Sequence, residues 1–300
     1  MNNNSVVKGH ICALITIVIW GTTFISTKIL LANFKPVEIL FYRFGIGYIA
    51  LFIAYPRRLK IISKKEELLF AAAGLCGVTL YFLVENIALT YTTASNVGVI
   101  VPIAPFFTAM LATRVLSGER PKANFYIGFL IAIAGIILVS FNGSAIFELN
   151  PIGDLLALLA AAVWAVYCIL TKKISQFGYS TIQTTRRIFF YGLFFIIPAL
   201  FLFRFNFEID RFLQPVNTFN ILFLGLGASA LCFVTWNLAV KIIGAVKTSV
   251  YIYAVPIVTV TTAAIVLKEK VTLMLIIGVI LTLSGLFLSE RKRSLVQGAI

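Results

Sequence analysis

Residues 86–121 read NIALTYTTASNVGVIVPIAPFFTAMLATRVLSGERP, and residues 237–272 read NLAVKIIGAVKTSVYIYAVPIVTVTTAAIVLKEKVT. At an offset of 151, Asn86 falls on Asn237, Ala88 on Ala239, Ala94 on Ala245 and Pro105 on Pro256. The correspondence extends toward the N-terminus, where an offset of 144 sets Trp20 on Trp164, Thr27-Lys28 on Thr171-Lys172 and Arg43 on Arg187. Toward the C-terminus, an offset of 150 sets Glu119 on Glu269, Gly128 on Gly278 and Gly135 on Gly285. Coincidental matches would not keep their order along the chain. The sequence is therefore an internal duplication, divided as 1–145 and 146–300.

Composition names the solvent in which the two copies fold. The chain is 60% hydrophobic and 12% charged, against roughly half and a quarter in soluble domains. An apolar run of about 20 residues, rising about 1.5 Å per residue, crosses a hydrocarbon core about 30 Å thick. Ten such segments are predicted, at 10–31, 37–55, 68–89, 94–115, 123–141, 153–171, 182–203, 218–239, 246–266 and 272–289. The expected fold is an all-α integral membrane protein of ten transmembrane helices. The segment at 10–31 is too long for a signal sequence and is read as the first span.

The net charge of +14 would suggest nucleic acid in a soluble protein. Here the cations flank apolar runs, which is the positive-inside pattern, and no nucleic-acid partner is expected. Lys8, the 57–65 cluster, Arg114, Arg120, Lys122, Lys172, Lys173, Lys241, Lys247 and the 291–293 cluster fall on the side of the termini. The other side holds only Lys28, Lys35, Arg204, Arg211, Lys268 and Lys270. Both termini are thus expected in the cytoplasm, with the protein in the cell membrane. The four cysteines lack metal-ligand spacing. His10 is the sole histidine, and no HExxH, GxSxG or Walker A pattern occurs. Neither an enzyme, an ATP-driven pump nor a cofactor is expected.

Five spans per copy is an odd number, so the second copy enters the membrane from the opposite face. Two inverted five-helix repeats can alternate the opening of a cavity between them, near the bilayer midplane. That arrangement implies alternating access to a small-molecule substrate. The residues also resemble a family. WGTTFISTK at 20–28 with Arg43, the two stretches quoted above, and the glycines of GFLIAIAG and GVILTLSG are similar to the EamA family of the drug/metabolite transporter superfamily. The resemblance covers both halves. It implies ten helices, a cavity lined mainly by spans 1, 3, 4, 6, 8 and 9, and export of amino acids or related metabolites. Ala165 departs from the pattern, since the first copy has Gly21 there.

Glu85 is the one acid well inside a predicted span. Intramembrane charges are expensive, and so are functional by default. It is read as a substrate-ammonium or coupling-proton site, or as an ion-pair partner of Lys28 or Arg43. Its counterpart is Trp236. Trp20, Tyr81, Trp164, Tyr167, Trp236, Tyr251 and Tyr253 place aromatic rings at or near membrane depth and are cavity candidates, with Asn86, Asn96 and Asn237; Asn86 and Asn237 are read equally as hydrogen bonds between helices, and Asn96 as a helix cap. The basic pairs Lys28–Arg43 and Lys172–Arg187, with Glu119 and Glu269, are read as gating ion pairs, carboxylate holders or snorkelling side chains. Pro105 and Pro256 are candidate hinges. A non-transporting membrane sensor or assembly protein, and a lipid or nucleotide-sugar carrier, remain alternative readings, and the protein is expected as a monomer or homodimer.

Overall fold

A computed structural model describes residues 3–57, 59, 63–115, 123–140, 151–243, 248 and 250–290. The described residues are helical and turn segments with no strand. Helix α1 covers Asn3–Leu30, α2 Pro36–Ala54 and α3 Lys64–Tyr91. Helix α4 runs through Ala94–Ile100, a 3-10 turn at Val101–Ile103, and Ala104–Val115. Helix α5 covers Ala123–Ser140, α6 Pro151–Ile174, α7 Thr181–Leu202 and α8 Pro215–Ile243. Helix α9 begins with a 3-10 turn at Val250–Ala254 and continues as Val255–Val266, and α10 covers Leu273–Glu290.

Seven of these helices are long and apolar enough to cross a membrane; α5, α9 and α10 carry shorter apolar runs. Large apolar side chains stand outward all around the bundle, among them Ile53 at 73%, Leu130 at 67%, Phe201 at 80% and Phe287 at 68% exposure. So much exposed apolar surface suits lipid, not water. The chain is a multi-pass membrane protein.

Local chemistry sets the helix starts. Pro36 opens α2, where a missing N–H costs nothing. Glu38 reaches back to the Lys35 N–H at 2.8 Å, one half of a capping box. The side chains of Ser63 and Thr93 cap α3 and α4. Gly178, at φ +75°, reverses the chain after α6 in the left-handed conformation that a glycine adopts freely.

The helices that carry the duplicated motifs are irregular in duplicate. Pro105 lies four residues after Val101, and Pro256 four after Ile252. A proline ring clashes with the carbonyl four residues earlier, and both of those residues lie in the 3-10 turns of α4 and α9. The breaks therefore fall one turn before the prolines themselves. Helices α3 and α8 each contain a π-helical stretch, at Leu75–Leu80 and Phe223–Leu231. The offset of 151 carries the first of these into the second. The hydropathy pattern gives no sign of the π turns.

Close approaches hold the bundle together. A methyl group on Gly135 would stand 2.6 Å from the Gly278 carbonyl oxygen, and one on Gly285 2.4 Å from that of Gly128. These glycines let α5 and α10 pack backbone against backbone. Around α2, α3, α7 and α8, the rings of Phe44, Phe82, Phe189 and Phe233 meet edge to face or tilted, with centroids 4.9–6.2 Å apart.

Candidate functional site

The cavity lies where the two halves meet. Its walls come from α1 (Trp20, Thr23, Phe24), α2 (Arg43), α3 (Tyr81, Phe82, Glu85), α4 (Val101, Pro102, Ala104), α6 (Trp164) and α9 (Ile252, Val255). Pseudo-equivalent residues line it in pairs: Trp20 with Trp164, Val101 with Ile252, and Ala104 with Val255. Two of these pairs lie in or directly after the 3-10 turns of α4 and α9. The volume is about 50 Å³, room for a few waters. Ligand pockets run to about 300–1,000 Å³, so this conformation is closed.

Arg43 is wholly buried. Its Nε donates to Ser229 Oγ at 3.1 Å, and its guanidinium lies over the Phe82 ring at 4.2 Å. Both Nη groups are buried without a hydrogen-bond partner. Glu85 is 1% exposed, Tyr81 stands one turn earlier on α3, and Glu85 Oε1 has no partner. The ion pairs among the described residues join Arg187 to Glu67 and Arg211 to Glu38 and Glu208. Arg43 and Glu85 thus line one cavity without forming an ion pair.

An aromatic cluster surrounds them. The Trp20 ring meets Trp164 edge-on at 5.6 Å and Trp236 at 5.2 Å, and Trp164 meets Tyr81 at 4.7 Å and Tyr167 at 4.8 Å. The Trp20 indole N–H donates to the Ala228 carbonyl at 3.0 Å, within the π-helical stretch of α8. Gly77, in the other π stretch, admits the Tyr167 ring: a methyl group there would stand 2.1 Å from it.

Of the expected cavity residues, Trp20, Tyr81, Glu85 and Trp164 line it, and Arg43 joins them from the gating set. The others lie elsewhere. Asn86 donates to the Pro36 carbonyl at 3.1 Å, tying α3 to α2. Asn237 donates to Thr185 Oγ1 at 3.1 Å, tying α8 to α7. Asn96 bonds Thr92 Oγ1 at 3.1 Å and Asp154 at 3.5 Å. Tyr251 holds His10 at 2.7 Å, Tyr253 packs against the main core, and Tyr167 and Trp236 stand behind the first layer of rings. Helix α8, expected in the wall, supports it through Phe233 and Trp236, and α2 lines it in its place.

The two ends of the bundle are tied differently. At the end opposite the N-terminus, Lys28 Nζ donates to the Leu89 and Thr92 carbonyls, at 2.5 and 2.8 Å, satisfying the open C-terminus of α3. Glu269 accepts from the Ala94 and Ser95 N–H groups, at 3.0 and 3.2 Å, and from the Ser95 hydroxyl. A carboxylate at a helix N-terminus is favourable. Asp154 accepts from Thr92 Oγ1 at 3.1 Å. Lys28 and Glu269 therefore hold backbone at the α3–α4 corner and do not pair directly with Glu85. At the other end, Arg187 and Tyr191 both donate to Glu67, Tyr179 donates to Glu66 at 2.6 Å, and Arg186 donates to the Tyr55 and Arg57 carbonyls. Lys172 is exposed, as a snorkelling side chain would be. Glu119 lies outside the described residues.

Three sets of partners were not legible from the sequence: Ser229 beneath Arg43, Glu67 beside Arg187, and buried Glu38. Glu38 accepts from Asn206 N at 3.0 Å and from Arg211 at 2.7 Å, strapping the loop after α7 to the start of α2. The only sequence signal for Glu38 was an acid at the third position of a helix that opens with proline.

The profile of the EamA-like transporter family matches the chain twice, over residues 7–141 and residues 151–291. A protein of Archaeoglobus fulgidus named "Uncharacterized transporter" is 29% identical over 297 residues, covering 95% of this chain and 98% of that protein. A "Probable terminal-alkyne amino-acid exporter" of Streptantibioticus cattleyicolor is 25% identical over 279 residues, covering 93% and 92%. A solved crystal structure superposes with a TM-score of 0.67 at 18% identity, over 96% of this chain and 99% of its own, a likeness of fold. With the profile matched along both halves, and a cavity where they meet, the chain belongs to the EamA-like transporter family.

Proposed function

We propose that the chain is a secondary transporter that moves a small organic metabolite, an amino acid or related zwitterion, outward across the cytoplasmic membrane by alternating access. In this reading the ten helices all span, as two inverted repeats at 1–145 and 146–300, with both termini in the cytoplasm. The double profile match, the paired helix breaks and the excess of cations on the side of the termini support it. The observation that carries it is the cavity at the seam, lined by a buried arginine and a buried glutamate that each keep polar atoms without a partner. The S. cattleyicolor relative's name supports amino-acid export. Glu85, with one free carboxylate oxygen, is the group for a coupling proton. Lys28, Glu269 and Asp154 close the outer mouth; Arg187 with Glu67 closes the inner; Pro105 and Pro256, through the turns they induce, are where α4 and α9 bend.

The test is flux. Purified protein in proteoliposomes is assayed for saturable transport of an amino-acid and metabolite panel, with and without a pH gradient. Saturable flux of a zwitterion that Glu85→Gln uncouples from the gradient is expected. No saturable flux of any panel member would sink the transport reading.

A further inference from the structure

The unpartnered polar groups on the cavity differ in kind, donors on Arg43 and an acceptor on Glu85, and that difference specifies a ligand. Arg43 presents two Nη groups side by side, its Nε already committed to Ser229 and its plane set by Phe82. Two parallel N–H donors on a fixed guanidinium match the two oxygens of a carboxylate. Glu85 presents a buried carboxylate whose Oε1 has no partner. A carboxylate matches an ammonium. Both groups lie at about the same depth. Arg43 is seven residues into α2 and Glu85 six from the end of α3, so each sits about 10 Å from the face where those ends meet.

The rest of the wall is apolar. Phe24, Trp164, Val101, Ala104, Ile252 and Val255 offer no side-chain hydrogen bond other than the Trp164 indole. The Thr23 hydroxyl is already bonded to the Trp20 carbonyl at 2.7 Å. A charged side chain on the ligand would enter this wall without a partner, a costly burial. A ligand carrying only a carboxylate, or only an ammonium, would leave Glu85 or Arg43 uncompensated.

We propose that Arg43 and Glu85 are the two poles of a site for an α-amino acid with a compact, uncharged side chain, Arg43 taking the carboxylate, Glu85 the ammonium and the α4–α9 wall the side chain. The assignment rests on the transport reading above and narrows its substrate class. It separates two roles that the repeat alone would have made equal, because the second copy offers neither pole: the counterpart of Glu85 is Trp236, and that of Arg43, Arg187, is bound to Glu67.

Binding to the full-length protein in detergent decides it, by thermal stabilisation and isothermal titration. The probes are L-valine, valinamide (no carboxylate), isovalerate (no ammonium), L-lysine and L-glutamate. Valine is expected to stabilise the protein and titrate saturably, with the other four at least tenfold weaker. Glu85→Gln is expected to bring isovalerate level with valine, and Arg43→Gln to bring valinamide level with valine. The unmodified protein alone can overturn the assignment, if valinamide or isovalerate binds as tightly as valine, or if lysine or glutamate binds more tightly. Saturable flux of some other metabolite without valine binding would also overturn it, and would leave the transport reading intact. Valine binding with the expected analogue ranking, but with no flux of any solute, would keep the poles and defeat the transport reading.

Discussion

Arg43 and Arg187 occupy the same place in the two copies, 144 residues apart, and their surroundings have diverged. Arg187 is part-exposed near one end of the bundle and is answered by Glu67 and Tyr191. Arg43 is fully buried, supported at Nε by Ser229, and both of its Nη groups lack a partner. Duplication supplied two equal arginines. One is joined to a carboxylate in an ion pair and the other lines the cavity unjoined. An arginine held in place but left unanswered in an apolar interior is costly to keep, which is the physical reason to assign it a ligand.

The largest expected effect comes from breaking that contrast directly. Arg43→Gln removes two charge-assisted hydrogen bonds, each about 1.5 kcal/mol or more. Affinity for the zwitterion should fall about a hundredfold, while Arg187→Gln should change it by less than about fivefold; isothermal titration of the two variants measures the ratio. Equal losses would mean that the two arginines still play equivalent parts.

A second contrast concerns Glu38, the buried acid that is answered. Glu38→Gln weakens its bond to Arg211 and its acceptance from two backbone N–H groups. It should cost about 2 kcal/mol of stability and lower the melting temperature in detergent. Glu85→Gln, whose side chain has one oxygen unpartnered, should leave melting of the ligand-free protein unchanged or raise it.

The π-helical stretches make a third pair. Gly77 and Ala228 correspond at the offset of 151, and Gly77 has the Tyr167 ring against it. Gly77→Ala should destabilise by about 1–3 kcal/mol through overpacking, and Ala228→Gly by about 1 kcal/mol or less. Thermal unfolding compares them, and combining Gly77→Ala with Tyr167→Ala should restore part of the loss.

The smallest effect separates Lys28 from Lys172. Lys28→Met strips two carbonyl partners from the α3–α4 corner and should cost about 1 kcal/mol, with faster hydrogen exchange at that corner. Exposed Lys172→Met should stay within about 0.5 kcal/mol.

Much of this arrangement was open to a reader of the chain alone. The apolar segments, their duplication and the prolines of α4 and α9 were legible, because membrane thickness sets segment length and an interior proline removes a backbone hydrogen bond. Glu85, Trp20, Tyr81 and Trp164 were recognisable as unusual for their depth. The direction in which each side chain points was not legible. These helices are apolar on nearly every side, so the pattern carries little sense of which face turns inward. For that reason the sequence left Asn86 and Asn237 open between cavity groups and ties between helices, and each is committed to a neighbouring helix. Lys28 and Glu269 were likewise open between ion pairing and other roles, and both hold backbone.

By itself, then, the sequence determined the lipid solvent, the duplication, the helix breaks and the family, all properties of spacing and composition along one dimension. The tertiary structure alone decided that Arg43 and Glu85 share a cavity without meeting, while Arg187 meets Glu67. Which charges are answered depends on contacts between residues far apart in the chain, and an apolar helix does not announce them.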